Sequence, residues 1–375
     1  MKILGIVAEY NPMHYGHLYH LTTARAETKC EYVIVAMSGN YVQRGEPAIV
    51  SKWVRAKMAL AAGADLVLEI PAWFSLQSAE GFARAGVQLL DNCGVTHMSF
   101  GSESGNIDDL RQLARWLQQP RLQANIRETL ASGITYAAAV EQAAHSLAPH
   151  LSHLLRSPNN ILGVEYLRAM ENSALSPHTV PRNPEHANAS QIRELLARGE
   201  TKAALRHIPP LPRGLLAAAL KRTAPLSIEN LSQGIFYALI NLGVKGIKSL
   251  PACSEGLENR IYKALAGASN IRELIEAVKT RRYPYTRIRR LLLQALLRFD
   301  TAESPGKIPY LRVLAVSPRG KELLPVLARS PLPLLYSPRD KSKLKPQDKK
   351  FLSLEIRGEE IYKMAQRMAS PAELG

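Results

Sequence analysis

Cysteines are few in this sequence, and long apolar runs are missing from it. Its 375 residues include three cysteines, Cys30, Cys93 and Cys253, which are widely spaced and form no CxxC pair. This spacing excludes a disulfide framework and a cysteine-rich zinc site. The apolar run that begins at Ile3 is ended by Glu9, and no segment reaches the ~18 consecutive apolar residues of a membrane-spanning helix. We therefore expect a cytoplasmic protein with no secretory or membrane segment.

The first half of the chain lacks an excess of positive charge, whereas the second half has one. Residues 1–200 contain 17 Lys and Arg against 18 Asp and Glu, whereas residues 201–375 contain 31 against 14. The chain is 46% apolar and 21% charged, which excludes general disorder. The basic half therefore predicts a folded module that meets a polyanion, either a nucleic acid or an anionic membrane surface.

Short apolar runs alternate with helix-period segments over the first 120 residues. The runs are residues 2–8, 31–38, 65–70 and 96–100, and the segments between and after them are 16–28, 52–62, 76–92 and 108–118. This alternation predicts an α/β, Rossmann-like fold with a parallel sheet covered on both faces. Ligands of such sheets bind at the carboxyl ends of the strands.

Composition and periodicity together divide the chain into three parts. We predict a nucleotide-binding catalytic domain over residues 1–200 and a mainly helical, basic domain over 201–300. Residues 301–375 contain one strand-like run, LRVLAV, and form either a small α/β addition or a loosely held tail.

The turn after the first strand carries the clearest chemical signal. Asn11-Pro-Met-His-Tyr-Gly-His17 follows the strand and opens the first helix, so two imidazoles lie on one face of the first helical turn. Free N–H groups and the positive end of the helix dipole make such a turn a phosphate site. The alternatives are a purely structural role for the histidines and a zinc site, which needs a third ligand, with Glu9 as the only obvious local candidate. We favour phosphate and predict no protein-bound metal.

This pattern resembles the HxGH signature of the nucleotidyltransferase superfamily. Longer strings narrow the resemblance, and they are GIVAEYNPMHYGHLYHL, VAMSGNYVQRGEPAIVSKWVRAKMALAAGADLVLEIP, FGSESG, SPNNILGVEYL, SEGLENRI and KTRRYPYTRIRRLL. Together, over about residues 1–300, they resemble the bacterial tRNA(Met) cytidine acetate ligase family.

The resemblance implies a two-step, ATP-dependent ligase. Acetate and ATP, with Mg²⁺ expected as the counterion, would give acetyladenylate and pyrophosphate. The acetyl group would then pass to N4 of the wobble cytidine of elongator tRNA(Met), releasing AMP and forming N4-acetylcytidine.

The resemblance also implies site residues. The catalytic residues would be His14 and His17. The nucleotide cradle would be Val7, Ala8, Glu9, Tyr10, Asn11, Pro12, Met13, His14, Tyr15, Gly16, His17, Leu18, Tyr19 and His20. Further ATP contacts would come from Gly101, from one of Asn159 and Asn160, and from Arg182, Ser190 and Arg193.

Each of the later ATP contacts has an alternative explanation from the sequence alone. Gly101 fits an ordinary turn glycine as well as a close approach of the ribose or adenine. The two asparagines fit helix caps. Ser190-Gln-Ile-Arg193 matches the superfamily's (S/T)xIR phosphate signature, but it also fits a Ser cap followed by a surface Arg.

Two further segments have a predicted binding role. The polar loop Ser38–Pro47 follows the second strand, and its Ser38, Asn40 and Gln43 are candidates for a pocket for acetate or the flipped cytosine, unless they only close a surface loop. Basic and aromatic residues also alternate around a proline that predicts a turn between two helices. The predicted tRNA-binding residues there are Lys279, Arg281, Arg282, Tyr283, Tyr285, Arg287, Arg289 and Arg290.

Four alternatives accompany these predictions. The basic segment also fits a solvated loop before a core helix, whereas a membrane role lacks an amphipathic helix with aromatic anchors. An adenylyltransferase of a small phosphometabolite would need no tRNA platform, which the net +17 of the second half supplies. A non-catalytic RNA-binding protein would not need the intact histidine motif.

Overall fold

The computed structural model describes residues 1–131, 134, 136–147 and 149–369. The strands are β1 (Ile3–Ala8), β2 (Tyr32–Ser38), β3 (Tyr41–Val42), β4 (Glu46–Pro47), β5 (Leu66–Ile70), β6 (His97–Ser102), β7 (Ser176–Pro181), β8 (Leu311–Val316) and β9 (Leu334–Leu335). Seven of them form one sheet in the order β7-β6-β1-β2-β5-β8-β9, and β3 and β4 form a separate antiparallel hairpin. The predicted α/β class is confirmed.

Strands β1, β2, β5, β6 and β7 run parallel to one another, and β8 runs antiparallel to β5. Strand β2 is buried along its whole length because its side chains are apolar on both faces. Ile34 and Ala36 point into one hydrophobic cluster, while Val33 and Val35 point into the other. The carboxyl ends of the central strands are thus held at one edge of a sheet with two packed faces.

Eighteen α-helices lie within the described residues, and part of them cover the two faces of the sheet. They are α1 (Tyr15–Thr28), α2 (Lys52–Ala61), α3 (Ala72–Ser75), α4 (Ala79–Asp91), α5 (Ile107–Leu117), α6 (Pro120–Ala131), α7 (Tyr136–Leu147), α8 (Pro149–Ser152), α9 (Pro158–Ala169), α10 (Ala189–Ala197), α11 (Thr201–Arg206), α12 (Pro210–Arg222), α13 (Ser232–Lys248), α14 (Leu257–Leu265), α15 (Ile271–Val278), α16 (Tyr285–Leu297), α17 (Leu324–Leu327) and α18 (Pro346–Ala369). Helices α1, α2, α10 and α12 lie on one face, and α4, α5 and α9 lie on the other.

The basic segment 201–300 is helical, as its periodicity predicts. Helix α13 packs against α14 and α16, and α15 packs against α14. Helix α15 ends at Val278 and α16 begins at Tyr285 with Pro284 as its N-cap, so the proline does separate two helices. No helix of the described residues is long and apolar enough to cross a membrane.

The final segment belongs to the central sheet. The LRVLAV run is β8, which pairs with β5 instead of forming an addition or a tail of its own. Helix α18 then holds the loop after β2, because Tyr362 Oη donates to the carbonyl of Ala48 at 2.6 Å and the carbonyl of Gly358 accepts from Tyr41 Oη at 2.9 Å. Residues more than 300 positions apart in the chain therefore shape the same edge of the sheet.

A buried ionic cluster fixes this junction. Lys52 Nζ lies 2.6 Å from Glu69 and 3.1 Å from Glu359, and Arg312 lies 2.9 Å from Glu69. Burial and the nearby Glu69 raise the pKa of Glu355 to about 8. Such groups are tolerated in a core only when they are paired and hydrogen-bonded, and here their partners come from α2, β5, β8 and α18.

Candidate active site

The histidine turn closes the carboxyl end of β1. Helix α1 begins at Tyr15, and His14 is its N-cap. His14 Nδ1 accepts from the N–H of Gly16 at 3.0 Å, and His17 Nδ1 accepts from the N–H of His14 at 3.3 Å. The two side chains thus form a reciprocal capping box, in which histidines take the places usually held by Ser or Thr and Glu. The motif builds its own helix start.

The capping box also sets the protonation state of both imidazoles. A ring nitrogen that accepts a backbone hydrogen bond carries no proton, so in each neutral ring the proton sits on Nε2. Burial is the main cause that lowers the pKa of His14 to about 3 and that of His17 well below its usual 6.5. Two neutral rings therefore offer Nε2–H donors.

The rings of His14 and His17 are stacked with centroids 3.8 Å apart, and Tyr10 packs edge-on against His17 at 4.9 Å. Gly16 makes this arrangement possible, because a Cβ there would lie 2.9 Å from His14 Cε1. Any larger residue at position 16 would displace the His14 ring.

Arginines surround the histidine pair. The charges of Arg182 and Arg193 each contribute to lowering the pKa of His14, and those of Arg44 and Arg182 do so for His17. Arg193 donates to the carbonyl of Asn11 at 3.0 Å and to Ser190 Oγ at 3.1 Å. The (S/T)xIR segment at the start of α10 thus meets the HxGH turn directly, which creates a positive site suited to an anion.

The second edge of the site is the end of β6, where Gly101 lies within the strand, together with the loop that follows it. A Cβ at Gly101 would have no neighbour closer than the Val180 carbonyl at 4.0 Å, so the backbone is open to a ligand there. Asn160 is buried, and its Oδ1 accepts from the N–H groups of Glu103 and Ser104 at 2.9 and 3.2 Å. Asn159 donates to Glu103 Oε1 at 2.8 Å. Both asparagines hold this loop, and a direct contact of either with ATP stays a prediction.

Comparisons with known proteins identify the family to which this chain belongs. A family model described as HIGH Nucleotidyl Transferase matches residues 1–374. A protein of Thermoanaerobacter sp. (strain X514) named tRNA(Met) cytidine acetate ligase is 38% identical over 100% of this chain and 98% of its own length. The chain belongs to the tRNA(Met) cytidine acetate ligase family of HIGH nucleotidyl transferases.

Two further comparisons support this assignment to the ligase family. A relative of the same name from Acetivibrio thermocellus is 35% identical over 97% of this chain and 95% of its own length. The crystal structure of Thermotoga maritima TmcAL bound with alpha-thio ATP superposes with a TM-score of 0.91 at 32% identity, and covers 99% of this chain and 95% of that one. That solved structure holds an ATP analogue on the same fold.

The residues predicted to surround the nucleotide, Val7 to His20, differ in their burial and contacts. Met13 is buried in the core, and Tyr10 is buried with its hydroxyl unpartnered among the described residues. His20 Nε2 is hydrogen-bonded to Ser99 Oγ at 2.9 Å, which ties α1 to β6. Tyr15 and Tyr19 lie near the ring of His186.

The predicted acetate or cytidine loop lies at the carboxyl end of β2. Ser38 is fully buried, and its Oγ has no hydrogen-bond partner within the described part of the chain. Asn40 Oδ1 accepts from the N–H of Lys52 at 2.8 Å and so helps to start α2. Gln43 Nε2 reaches the carbonyl of Gln77 at 3.5 Å. Ser38 Oγ is therefore a buried donor that no other described residue uses.

The sequence did not single out Arg55, which is completely buried beneath the site. Its guanidinium donates to the carbonyls of Glu9 at 2.5 Å and Ser38 at 3.1 Å, and also to that of Gly39. It therefore clamps the ends of β1 and β2 together. The only sequence signal was an arginine on the apolar face of α2.

The predicted tRNA-binding residues do not share one surface. Lys279 and Arg281 are exposed, whereas Tyr283 is buried and its hydroxyl donates to the Glu255 carbonyl at 2.6 Å. Arg282 and Arg287 lie 3.1 and 3.6 Å from the Glu255 carboxylate. Lys279 and Arg281 are thus exposed to solvent, although Lys279 Nζ lies 3.8 Å from the Glu276 carboxylate, and the remaining cations of this set contact other protein groups more closely.

Arg289 and Arg290 point towards the catalytic half. Arg289 pairs with Glu46 and stacks over the ring of Tyr285 at 4.1 Å, and Arg290 donates to the carbonyl of Gln43 at 3.3 Å. Helix α16 is thereby attached to the loop after β2. Their role in tRNA binding stays a prediction, and these contacts supply a second role.

Proposed function

We propose that the protein is an ATP-dependent tRNA(Met) cytidine acetate ligase. It activates acetate as acetyladenylate and transfers the acetyl group to N4 of the wobble cytidine of elongator tRNA(Met). The observation that carries the proposal is the stacked, neutral pair His14 and His17 beside Arg182 and Arg193, in a chain whose relatives bear this name. The resulting tRNA carries N4-acetylcytidine.

The first step is displacement at the α-phosphorus of ATP. A carboxylate oxygen of acetate forms the new bond, and the bond to the bridging oxygen of pyrophosphate breaks. Negative charge grows on the phosphate oxygens, where the Nε2–H donors of His14 and His17 stabilise it without gaining or losing a proton. Gly101 leaves room for the nucleoside against the backbone.

We expect Mg²⁺ to enter with the triphosphate. Within the described ranges, no group of three or more His, Cys, Asp or Glu side chains is arranged to hold a metal ion. The phosphates are then its principal ligands, and the residues of the chain act on the phosphate oxygens that remain.

The acetate site is proposed where buried donors lack partners. Ser38 Oγ, Asn11 Nδ2 and Tyr10 Oη are all buried, and none has a hydrogen-bond partner among the described residues. Ser38 is the last residue of β2, and Tyr10 and Asn11 follow β1, at the edge of the sheet that carries the histidine turn. Because an unpaired buried donor costs about 1–3 kcal/mol, an anionic ligand at this place would offset that cost. Asn40 and Gln43 follow Ser38 in the same loop.

The second step needs the tRNA at the same edge. The N4 amine of cytidine attacks the acetyl carbonyl, the bond to the AMP oxygen breaks so that AMP leaves, and the proton lost by N4 passes to solvent. The basic half of the chain, net +17, would hold the phosphate backbone, with Lys279 and Arg281 as its exposed cations near the start of α16. Binding a base at the active site requires that it leave the anticodon stack.

Acetate-dependent ATP–pyrophosphate exchange in the absence of tRNA tests this proposal. We expect ATP–pyrophosphate exchange that requires acetate and that is lost in the His14→Ala variant. Exchange supported by a small phosphate monoester instead, with a dinucleotide product, would favour the adenylyltransferase alternative. No exchange with any acid, by protein that still binds tRNA, would favour the non-catalytic alternative.

A further inference from the structure

The β3–β4 hairpin is seated directly on helix α16. Gly45, at the hairpin turn, has a φ of 76°, and a Cβ there would lie 2.6 Å from Arg289 Cβ and 2.7 Å from the backbone nitrogen of Arg290. Only glycine fits both the positive φ and this close approach. The first residue of β4, Glu46, is therefore held against the helix.

Glu46 bridges two arginines from different helices, Arg193 of α10 and Arg289 of α16. One carboxylate oxygen lies 3.5 Å from Arg193 Nε, and the other is paired with Arg289 Nη1. The three side chains are between 17% and 20% exposed, so the pairs are only partly screened by water. Arg289 is further held by the hydroxyl of Tyr285 at 2.9 Å.

Each nitrogen of the Arg193 guanidinium has a different partner. Nη1 donates to the carbonyl of Asn11, Nη2 donates to Ser190 Oγ, and Nε faces Glu46. The first two partners belong to the HxGH turn and to its own helix, so Glu46 supplies the third side of the frame. A planar guanidinium held on three sides has one orientation.

We propose that Glu46 is a positioning residue, which orients Arg193 for the ATP phosphates and is itself held in place by Arg289 of α16. The basic half of the chain thus completes the nucleotide site, in addition to binding tRNA. Glu46 also cancels part of the charge of the two arginines, which would otherwise repel each other across the hairpin. This inference rests on the proposed use of ATP, and its test is chosen to be independent of acetylation.

The test is the Kd for ATP, measured by titration calorimetry without acetate or tRNA. Glu46→Gln and Arg289→Gln should each weaken ATP binding about ten-fold, because each lets Arg193 turn away from the phosphates. The double variant should be no weaker than either single variant, since both changes break one chain of contacts. Glu255→Gln is the matched control, because Glu255 also pairs with two arginines, Arg282 and Arg287.

The outcomes separate the two claims. Additive effects of the two single changes, or a Kd within two-fold of the parent in Glu46→Gln, would overturn the positioning role. An equal loss in Glu255→Gln would also overturn it, because the effect would then reflect general destabilisation. Normal ATP binding by the parent chain with no acetate-dependent exchange would instead count against the proposed function alone.

Discussion

Replacing His14 separates its two roles, because it caps α1 and donates from Nε2. His14→Ala removes the acceptor for the N–H of Gly16, which should lower the free energy of unfolding by about 1 kcal/mol. It also removes one donor to the reacting phosphate, and loss of such a donor costs about 10²–10³ in rate. His14→Asn keeps the cap, since Asn is among the best N-cap residues, but its short side chain cannot reach the position of Nε2.

The two variants should therefore differ in stability and agree in activity. We expect His14→Asn to match the parent in urea denaturation, while both variants lose about 10²-fold or more in acetate-dependent ATP–pyrophosphate exchange. Parent-like exchange by His14→Asn would show that the imidazole only caps the helix, and the proposed phosphate role would be wrong. The same assay on Gly16→Ala should show an intermediate loss, because its Cβ displaces the His14 ring.

The remaining predictions concern pH, acetate and tRNA. His14 and His17 stay neutral in the folded protein but bind protons below about pH 6.5 in the unfolded chain. Each should therefore lower the free energy of unfolding by up to about 1.4 kcal/mol per pH unit as the pH falls from 6.5. Denaturation curves at pH 7.5 and 5 that show no such fall would contradict the burial of these histidines. Ser38→Ala should raise the KM for acetate without lowering stability, because Ser38 Oγ has no partner in the described structure; an unchanged KM would move the acetate site. The double variant Lys279→Glu, Arg281→Glu should weaken tRNA binding and reduce its salt dependence in filter-binding assays. The control double variant Lys57→Glu, Arg121→Glu changes the charge of the first half by the same amount and should leave tRNA binding unchanged. Equal effects of the two double variants would place the tRNA elsewhere.

The sequence predicted the catalytic half well because its signals are local. Buried strands, their spacing and the HxGH turn all lie within short windows, and the capping box of His14 and His17 is formed by residues three positions apart. Strand–helix alternation then places these turns at one edge of a parallel sheet without further information.

The contacts of the basic half could not be predicted because they join distant parts of the chain. The pattern around Tyr283 and Arg289 is typical of an RNA-binding segment, but it does not show that Tyr283 is buried or that Arg289 pairs with Glu46, 243 positions away. Whether a cation faces solvent or protein depends on tertiary packing, which charge counting does not include. For the same reason, the sequence did not reveal that Arg55 joins the ends of β1 and β2.

The most direct test of the account is transfer of ¹³C-labelled acetate to purified elongator tRNA(Met) by this protein with ATP and Mg²⁺, followed by mass spectrometry of the digested nucleosides. The account predicts labelled N4-acetylcytidine at the wobble position, formed together with AMP and pyrophosphate and absent when ATP is omitted. Unmodified cytidine in that tRNA, with folded protein that binds both ATP and the tRNA, would contradict it.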